Sequence, residues 1–233
     1  MVLKEDFVIK SSDGKPSSVL IFLHGLGDTG EGWSGIFGDH RNPKTHYIFP
    51  NSAVRKVTIN GGARMPAWFD LKSLDGSDED VPGIKEASNE VKILIAEQMQ
   101  RFELPSTKIF IGGFSMGGAL ALYTSLTHKE PLGGVVALSS WLPMHKSFLD
   151  PSDTEHSLQC QSCDIFQGHG GMDVLVPYAF GEATHKVLNG GRSKTSRNLI
   201  KKYAGMSHSS CDQELCDVKD FVNSCLNNLS INQ

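Results

Sequence analysis

KIFIGGFSMGGALALYTSLT, residues Lys108 to Thr127, passes from an apolar run into Gly113-Phe114-Ser115-Met116-Gly117 and then into a helix-forming segment with small residues in its first turn. This is G-x-S-x-G set between a strand and a helix, the context in which a serine is held on a tight, strained turn with its hydroxyl exposed above a sheet. The flanking glycines allow the close chain approach that such a turn needs. Ser115 is therefore the candidate nucleophile, and the expected architecture is an α/β fold.

The rest of the chain agrees with that expectation. Val19 to Leu23, Tyr47 to Phe49, Lys108 to Ile111, Val135 to Leu138, Ile165 to Phe166 and Leu199 to Tyr203 read as strands, mostly continuous in apolar residues as buried parallel strands are. Between them, Ile84, Ala87, Val91, Leu94, Ile95, Met99 and Phe102 recur at helical spacing, with Pro82 and Gly83 marking the start. Leu215, Val218, Phe221, Val222, Cys225, Leu226 and Leu229 form a second stripe of the same kind. Alternation of strands and helices implies a mainly parallel central sheet covered by helices on both faces, with function at the carboxyl ends of the strands. With 233 residues and 39% apolar content, one domain spanning 1–233 is expected. Two polar loops, Leu71 to Asp80 and Asp150 to Gln161, interrupt the pattern; the acidic end of the first reads as solvated.

Charge and composition exclude several classes. Lys plus Arg number 22 against 26 Asp plus Glu, a net charge of −4, which offers no broad positive surface to nucleic acid. The first residues, MVLKEDFVIK, lack the order of a signal peptide, and no long apolar run is present, so a cytoplasmic protein with at most transient membrane contact is expected. Five cysteines crowd the last third of the chain, an odd number that suits reduced thiols. Cys160 and Cys163 have C-x-x-C spacing, but no second pair follows at ligand spacing, so neither a metal nor a cofactor is expected.

A serine nucleophile needs a base, and the base needs a partner to fix its tautomer. His208, in GMSHSSC, lies between the strand Leu199 to Tyr203 and the final helix, where the histidine of such a fold belongs. His24 and His169 sit at strand ends ahead of the acid and read as hydrogen-bonded loop anchors. For the acid, QGHGGMDVLVP places Asp173 just past the strand Ile165 to Phe166; its rival Asp164 lies at the entering end of that strand, on the wrong edge of the sheet, and reads as an exposed strand-start residue. The oxyanion needs backbone donors, expected from the N–H of Met116 and, in the Gly-rich turn LHGLGDTG, from the N–H of Leu26. That turn contains neither G-x-G-x-x-G nor a P-loop lysine, which disfavours nucleotide binding.

With these residues assembled, the chain resembles the acyl-protein thioesterase and lysophospholipase-like family of small serine hydrolases. The resemblance rests on FLHGLGDTG (Phe22 to Gly30), PAWFD (Pro66 to Asp70), GGFSMGGALALYTSL (Gly112 to Leu126), ALSSWLP (Ala137 to Pro143), HGGMDVLVP (His169 to Pro177) and GMSHSSC (Gly205 to Cys211), in that order. It implies an α/β-hydrolase fold without a large cap, the triad Ser115, Asp173 and His208, and oxyanion donors at Leu26 and Met116. It implies as substrates S-acylated proteins or lysophospholipids, with no cofactor. It also implies an apolar acyl groove beside the loop after Trp-Phe-Asp, for which Trp68, Phe69, Leu71 and Leu74 are candidates, with Trp141 nearby; for Trp68, ordinary packing on the sheet is an equal alternative. Two departures stand out: Met116 replaces the family's usual Gln, and no cysteine lies near the start of the chain. Other functions compatible with the same triad are a short-chain carboxylesterase and, in another class, a small-molecule receptor.

Overall fold

The computed structural model describes residues 7–12, 14–38, 40–150, 152–153, 163–191 and 196–231. At its centre is a seven-stranded sheet: β1 (Phe7–Ile9), β3 (Thr45–Phe49), β2 (Ser18–Leu23), β6 (Ile109–Phe114), β7 (Gly134–Leu138), β8 (Ile165–Gly170) and β9 (Asn198–Tyr203), in that spatial order. Only β1 runs antiparallel to its neighbour, on β3; the remaining pairs are parallel, with Leu20 opposite Phe110 and Ile111 opposite Val135 at the centre. A separate hairpin, β4 (Val54–Val57) with β5 (Ala63–Pro66), stands off this sheet. The helices are α1 (Gly30–Phe37), α2 (Val81–Phe102), α3 (Met116–Leu126), α4 (His145–Leu149), α5 (Tyr178–Gly191) and α6 (Asp212–Ile231).

Period-2 alternation along β2 divides the core in two. Val19, Ile21 and Leu23 pack into the layer that holds α2 and α3, while Leu20 and Phe22 face Trp33 and Phe37 of α1 and the α6 stripe Leu215, Val218 and Phe221. Both faces are thus covered, which is why the central strands are apolar at every position. The chain moves outward from β2 to β3 and then returns to β6 on the other side of β2. The carboxyl ends of β2 and β6 therefore flank a topological switch point, where α/β sheets open a crevice.

The expected strands all form, several longer than their apolar runs. β8 continues through Gln167, Gly168, His169 and Gly170, and β6 extends to Phe114. In the acidic loop Asp75 and Asp78 are exposed, as a solvated run would be, but Asp80 caps α2 by accepting from the Gly83 N–H at 3.2 Å and also holds the Asp70 N–H at 2.9 Å. Glu79 accepts from the Met144 N–H at 2.8 Å, tying the loop to the turn before α4. Cys225 is buried in the α6 stripe as its spacing suggests, and burial pushes its thiol up to about 12. Cys160 and most of the 150–161 loop lie outside the described residues; Cys163 is buried.

Glu214, in the first turn of α6, is wholly buried over Gly168, and neither carboxyl oxygen has a protein hydrogen-bond partner among the described residues. Burial, with the nearby Asp217 carboxylate second, raises its carboxyl from 4.5 to about 8. The folded protein therefore holds this proton more tightly than the unfolded chain. Its contribution is fullest below the ordinary value and is lost as pH climbs through the raised one. We predict that Glu214→Gln, which mimics the protonated form, melts above the unsubstituted protein near pH 9, and that the gap narrows near pH 6. A gap independent of pH would show that Glu214 is not the titrating group.

Candidate active site

The segment from β6 to α3 turns at a single residue. Ser115 adopts φ 52° and ψ −118°, a positive-φ conformation outside the αL well that residues bearing a Cβ seldom take. Two close contacts impose it. A Cβ at Gly113 would lie 2.3 Å from the Gly117 carbonyl carbon, and one at Gly117 would lie 2.1 Å from the Leu23 carbonyl oxygen, so α3 begins in backbone contact with β6 and β2. The turn is pinned by the Ser115 N–H donating to the Leu138 carbonyl at 2.8 Å and by the Ser140 hydroxyl donating to the Ser115 carbonyl at 2.9 Å. Ser115 remains 8% exposed at the floor of a cavity.

Asp173 and His208 come from the loops after β8 and β9. The Nδ1–H of His208 donates to Asp173 Oδ2 at 2.7 Å, which leaves Nε2 as the basic nitrogen. The other oxygen of Asp173 accepts from the N–H groups of Leu175 and Val176 at 3.0 and 2.9 Å, so this fully buried carboxylate has its charge compensated by three donors. The His208 ring lies 4.7 Å, centroid to centroid, from Phe114, the residue before the serine. Ser115 and His208 face the same cavity.

The two rival histidines are locked elsewhere. His24 donates through Nδ1 to the Gly25 carbonyl at 2.7 Å and accepts from the Ser52 N–H at 3.1 Å. His169 donates through Nε2 to the Val176 carbonyl at 2.7 Å. Burial is the main reason that both titrate below the ordinary histidine value. The 3.8 Å approach of His169 Nε2 to Asp173 is thus a contact of a neutral ring, with its proton already given to a carbonyl, rather than an ion pair. Asp164 is at the opposite end of β8 and is not simply exposed. Its carboxylate receives the N–H and Nε–H of Arg197, both at 2.8 Å, and a third contact from the guanidinium at 2.6 Å.

After β2 the chain makes a β-turn closed by the Asp28 N–H donating to the Gly25 carbonyl at 3.2 Å, with Gly27 at φ 78°. That is the i+2 conformation of a type II turn, which favours glycine and leaves the N–H of Leu26, at i+1, unused by the turn. Gly27 donates to the Pro66 carbonyl at 2.8 Å, fixing the turn against β5. Met116 is the first residue of α3, so its N–H has no intrahelical acceptor. The structure brings both Leu26 and Met116 to the cavity that holds Ser115.

This cavity has a volume of about 340 Å³. Leu71, Leu74 and Trp141 line it, as do Ile59 from the turn between β4 and β5 and Leu175 and Val176 after the acid. Ile59 and Leu175, at 43% and 63% exposure, form its outer edge. Trp68 and Phe69 are corrections: neither is in the wall. Trp68 is buried, donates its Nε1–H to the His24 carbonyl at 2.8 Å and lies against the His24 ring, bracing the Gly25–Asp28 turn from behind. Phe69 lines a separate void of about 10 Å³ that also touches Trp141. Ile59 carried no signal in the sequence, because its hairpin lacks an apolar alternation; Val176 lies in the motif that identifies Asp173.

A parallel sheet with a strained serine after β6 and a buried Asp–His pair after β8 and β9 defines an α/β-hydrolase. The chain belongs to the phospholipase/carboxylesterase family, whose model matches residues 4–226. It is similar to an acyl-protein thioesterase 1 of Mycosarcoma maydis, 35% identical over 235 residues that span 95% of this chain and 96% of that protein. It is also similar to an acyl-protein thioesterase 1 of Candida albicans, 36% identical over 92% of this chain and 94% of that one. Among solved structures, a Zea mays acyl-protein thioesterase 2 superimposes with a TM-score of 0.81 at 26% identity, over 94% of this chain and 98% of that one.

Asp173→Asn is expected to lower kcat on the order of 10⁴-fold, because Asn cannot hold the Nδ1–H tautomer. Asp164→Asn is expected to leave kcat within a few-fold while destabilising the fold by roughly 1–3 kcal/mol through the weakened Arg197 pair. Steady-state kinetics beside denaturant melts separates the two, and the reverse ranking would move the acid to Asp164.

Proposed function

We propose that this protein is a serine hydrolase that cleaves fatty acyl thioesters, removing S-linked acyl groups from protein cysteines, with lysophospholipid and simple ester hydrolysis as side activities. The observation that carries the reading is an apolar cavity ending at Ser115, with His208 and the N–H groups of Leu26 and Met116 at its walls. The acyl-protein thioesterase relatives support the same substrate class.

In the proposed mechanism His208 Nε2 takes the hydroxyl proton as Ser115 Oγ attacks the thioester carbonyl, and the Asp173 bond stabilises the resulting imidazolium. Negative charge collects on the carbonyl oxygen, toward which Leu26 and Met116 direct their N–H groups; one such donor contributes roughly 3 to 4 kcal/mol to the barrier reduction. Collapse of the tetrahedral intermediate expels the cysteine sulfur, which receives the proton from His208. Water, activated by the same histidine, then attacks the acyl-Ser115 ester and releases the fatty acid. No step calls for a metal or cofactor. Among the described residues no helix is long and apolar enough to cross a membrane. A single catalytic domain acting in the cytoplasm, with membranes touched only transiently, fits this reading.

Two measurements test it. Ser115→Ala is expected to abolish covalent labelling by a fluorophosphonate and to lower kcat by about 10⁴ to 10⁶-fold with the fold intact. In a series of straight-chain acyl thioesters, kcat/KM is expected to rise about two- to fourfold per added methylene until the cavity is full, as burial of each CH₂ contributes about 0.8 kcal/mol at most. Negligible turnover of every chain length would favour a small-molecule receptor, and a maximum at acetyl would favour a short-chain carboxylesterase.

A further inference from the structure

The Phe114–His208 contact is a partition with a cavity on each side. On the side away from the acyl cavity lies a second one of about 500 Å³, which shares Asp28, Phe114 and His208 with the first. Its remaining walls are mixed: Ser209, Ser210 and Cys211 from the His208 loop, Asp212 and Leu215 at the start of α6, and Trp33 and Ile36 from α1. Asp28 and Asp212 contribute carboxylates, and no Lys or Arg is among its described lining residues. The Asp212 side chain is 95% exposed although His40 Nε2 lies 3.3 Å from it. Trp33 is 97% buried, and its Nε1–H has no acceptor among the described residues.

The chemistry decides what can stand there. A carbonyl under attack by Ser115 has three other directions to satisfy. Its oxygen points to the Leu26 and Met116 donors, its acyl chain enters the apolar cavity, and its leaving atom must come within reach of His208 Nε2 to be protonated. The cavity beyond His208 is therefore on the leaving-group side. We infer that the cleft formed by Asp28, Trp33, Ser209, Ser210 and Asp212 is a leaving-group subsite that receives the polypeptide flanking the acylated cysteine, and that it selects flanks carrying Lys or Arg. The inference rests on the thioesterase reading above and adds to it the charge of the preferred substrate. The Ser209 and Ser210 hydroxyls supply bonds for peptide carbonyls, and the two carboxylates face the cationic side chains. An uncharged, purely apolar leaving group would leave those polar groups unmatched.

The test uses short peptides with one S-octanoyl cysteine, flanked by two Arg, two Ser or two Glu residues. The Arg peptide is expected to exceed the Glu peptide by roughly tenfold in kcat/KM, the most that two exposed charge pairs, with repulsion of Glu in place of attraction, supply. Added salt should shrink that ratio, since exposed pairs are screened. In the double variant Asp28→Asn, Asp212→Asn the ratio should fall below about threefold. Glu103→Gln, which removes a charge paired with Lys15 at the far end of the sheet, should preserve it. Because each readout is a ratio between substrates on one protein, a partial loss of folded enzyme does not disturb it. Equal turnover of all three peptides, or a ratio untouched by the double variant, would overturn the subsite and leave the thioesterase reading standing. Hydrolysis of acyl nitrophenyl esters without hydrolysis of any peptide would instead remove that reading, and the subsite with it.

Discussion

The approach of α3 to the carbonyl of Leu23 is the constraint from which the site follows. Gly113 and Gly117 let backbone meet backbone, and the residue between the strand and the helix has no room for an ordinary conformation. Ser115 accepts φ 52°, a departure that costs on the order of 1–3 kcal/mol and persists only where the surroundings over-determine it. Here they do: β6 is paired on both sides, its residues are buried throughout, and the Leu138 and Ser140 bonds fix the turn from the β7 side. The same geometry makes Met116 the first residue of a helix, so the proposed oxyanion donor comes with the proposed nucleophile rather than being recruited separately.

Around that turn, burial sorts chemically identical groups into different tasks. His24 and His169 are neutral pins, each with its proton committed to a backbone carbonyl, and through them the turn after β2 and the loop carrying Asp173 are held in place. His208 keeps one nitrogen on Asp173 and the other uncommitted. The acid is subject to the same logic. A carboxylate with no exposed surface is tolerable only because two backbone N–H groups and the imidazole satisfy it, whereas Asp164 reaches the same end through Arg197 at the other edge of the sheet, away from Ser115.

Those assignments were legible because they depend on chain order and on local backbone demands. Ser115 could be read from glycine spacing, and His208 from its place before the last helix. Asp173 could be read even though the apolar run of β8 ends at Phe166; Gln167, Gly168, His169 and Gly170 break that run, while the ladder continues to Gly168 on β7 and to Gly170 on β9. What could not be read depends on contacts between distant segments. Arg55, Lys56 and Arg64 interrupt any apolar alternation in β4 and β5, yet Val57 and Met65 reach the core and the turn delivers Ile59 to the cavity at Ser115. Trp68 looks the same in sequence whether it lines a groove or braces a loop. Only its bond to the His24 carbonyl, 44 residues away, decides for the second. Helix α1, starting and continuing through glycines, carries too weak a pattern to announce itself, and it supplies a wall of the second cavity.

The position of Phe114 links the chemistry to selectivity. As the residue between Gly113 and Ser115 it cannot move without moving the nucleophile, and its ring rests on His208. It therefore belongs to both cavities, and its fixed place keeps them distinct: apolar toward Leu71 and Trp141, hydroxyl- and carboxylate-lined toward Ser209 and Asp212. A thioester and an ester pass through the same tetrahedral geometry, so the triad has little means of telling them apart. Discrimination must come from groups that touch the substrate away from the reacting carbon, where binding energy can be spent on orientation. Under the proposed subsite, those groups fall on two sides of one aromatic ring whose placement is dictated by the glycine contacts beside it. The constraint that strains the serine thus also sets which part of a substrate meets which wall.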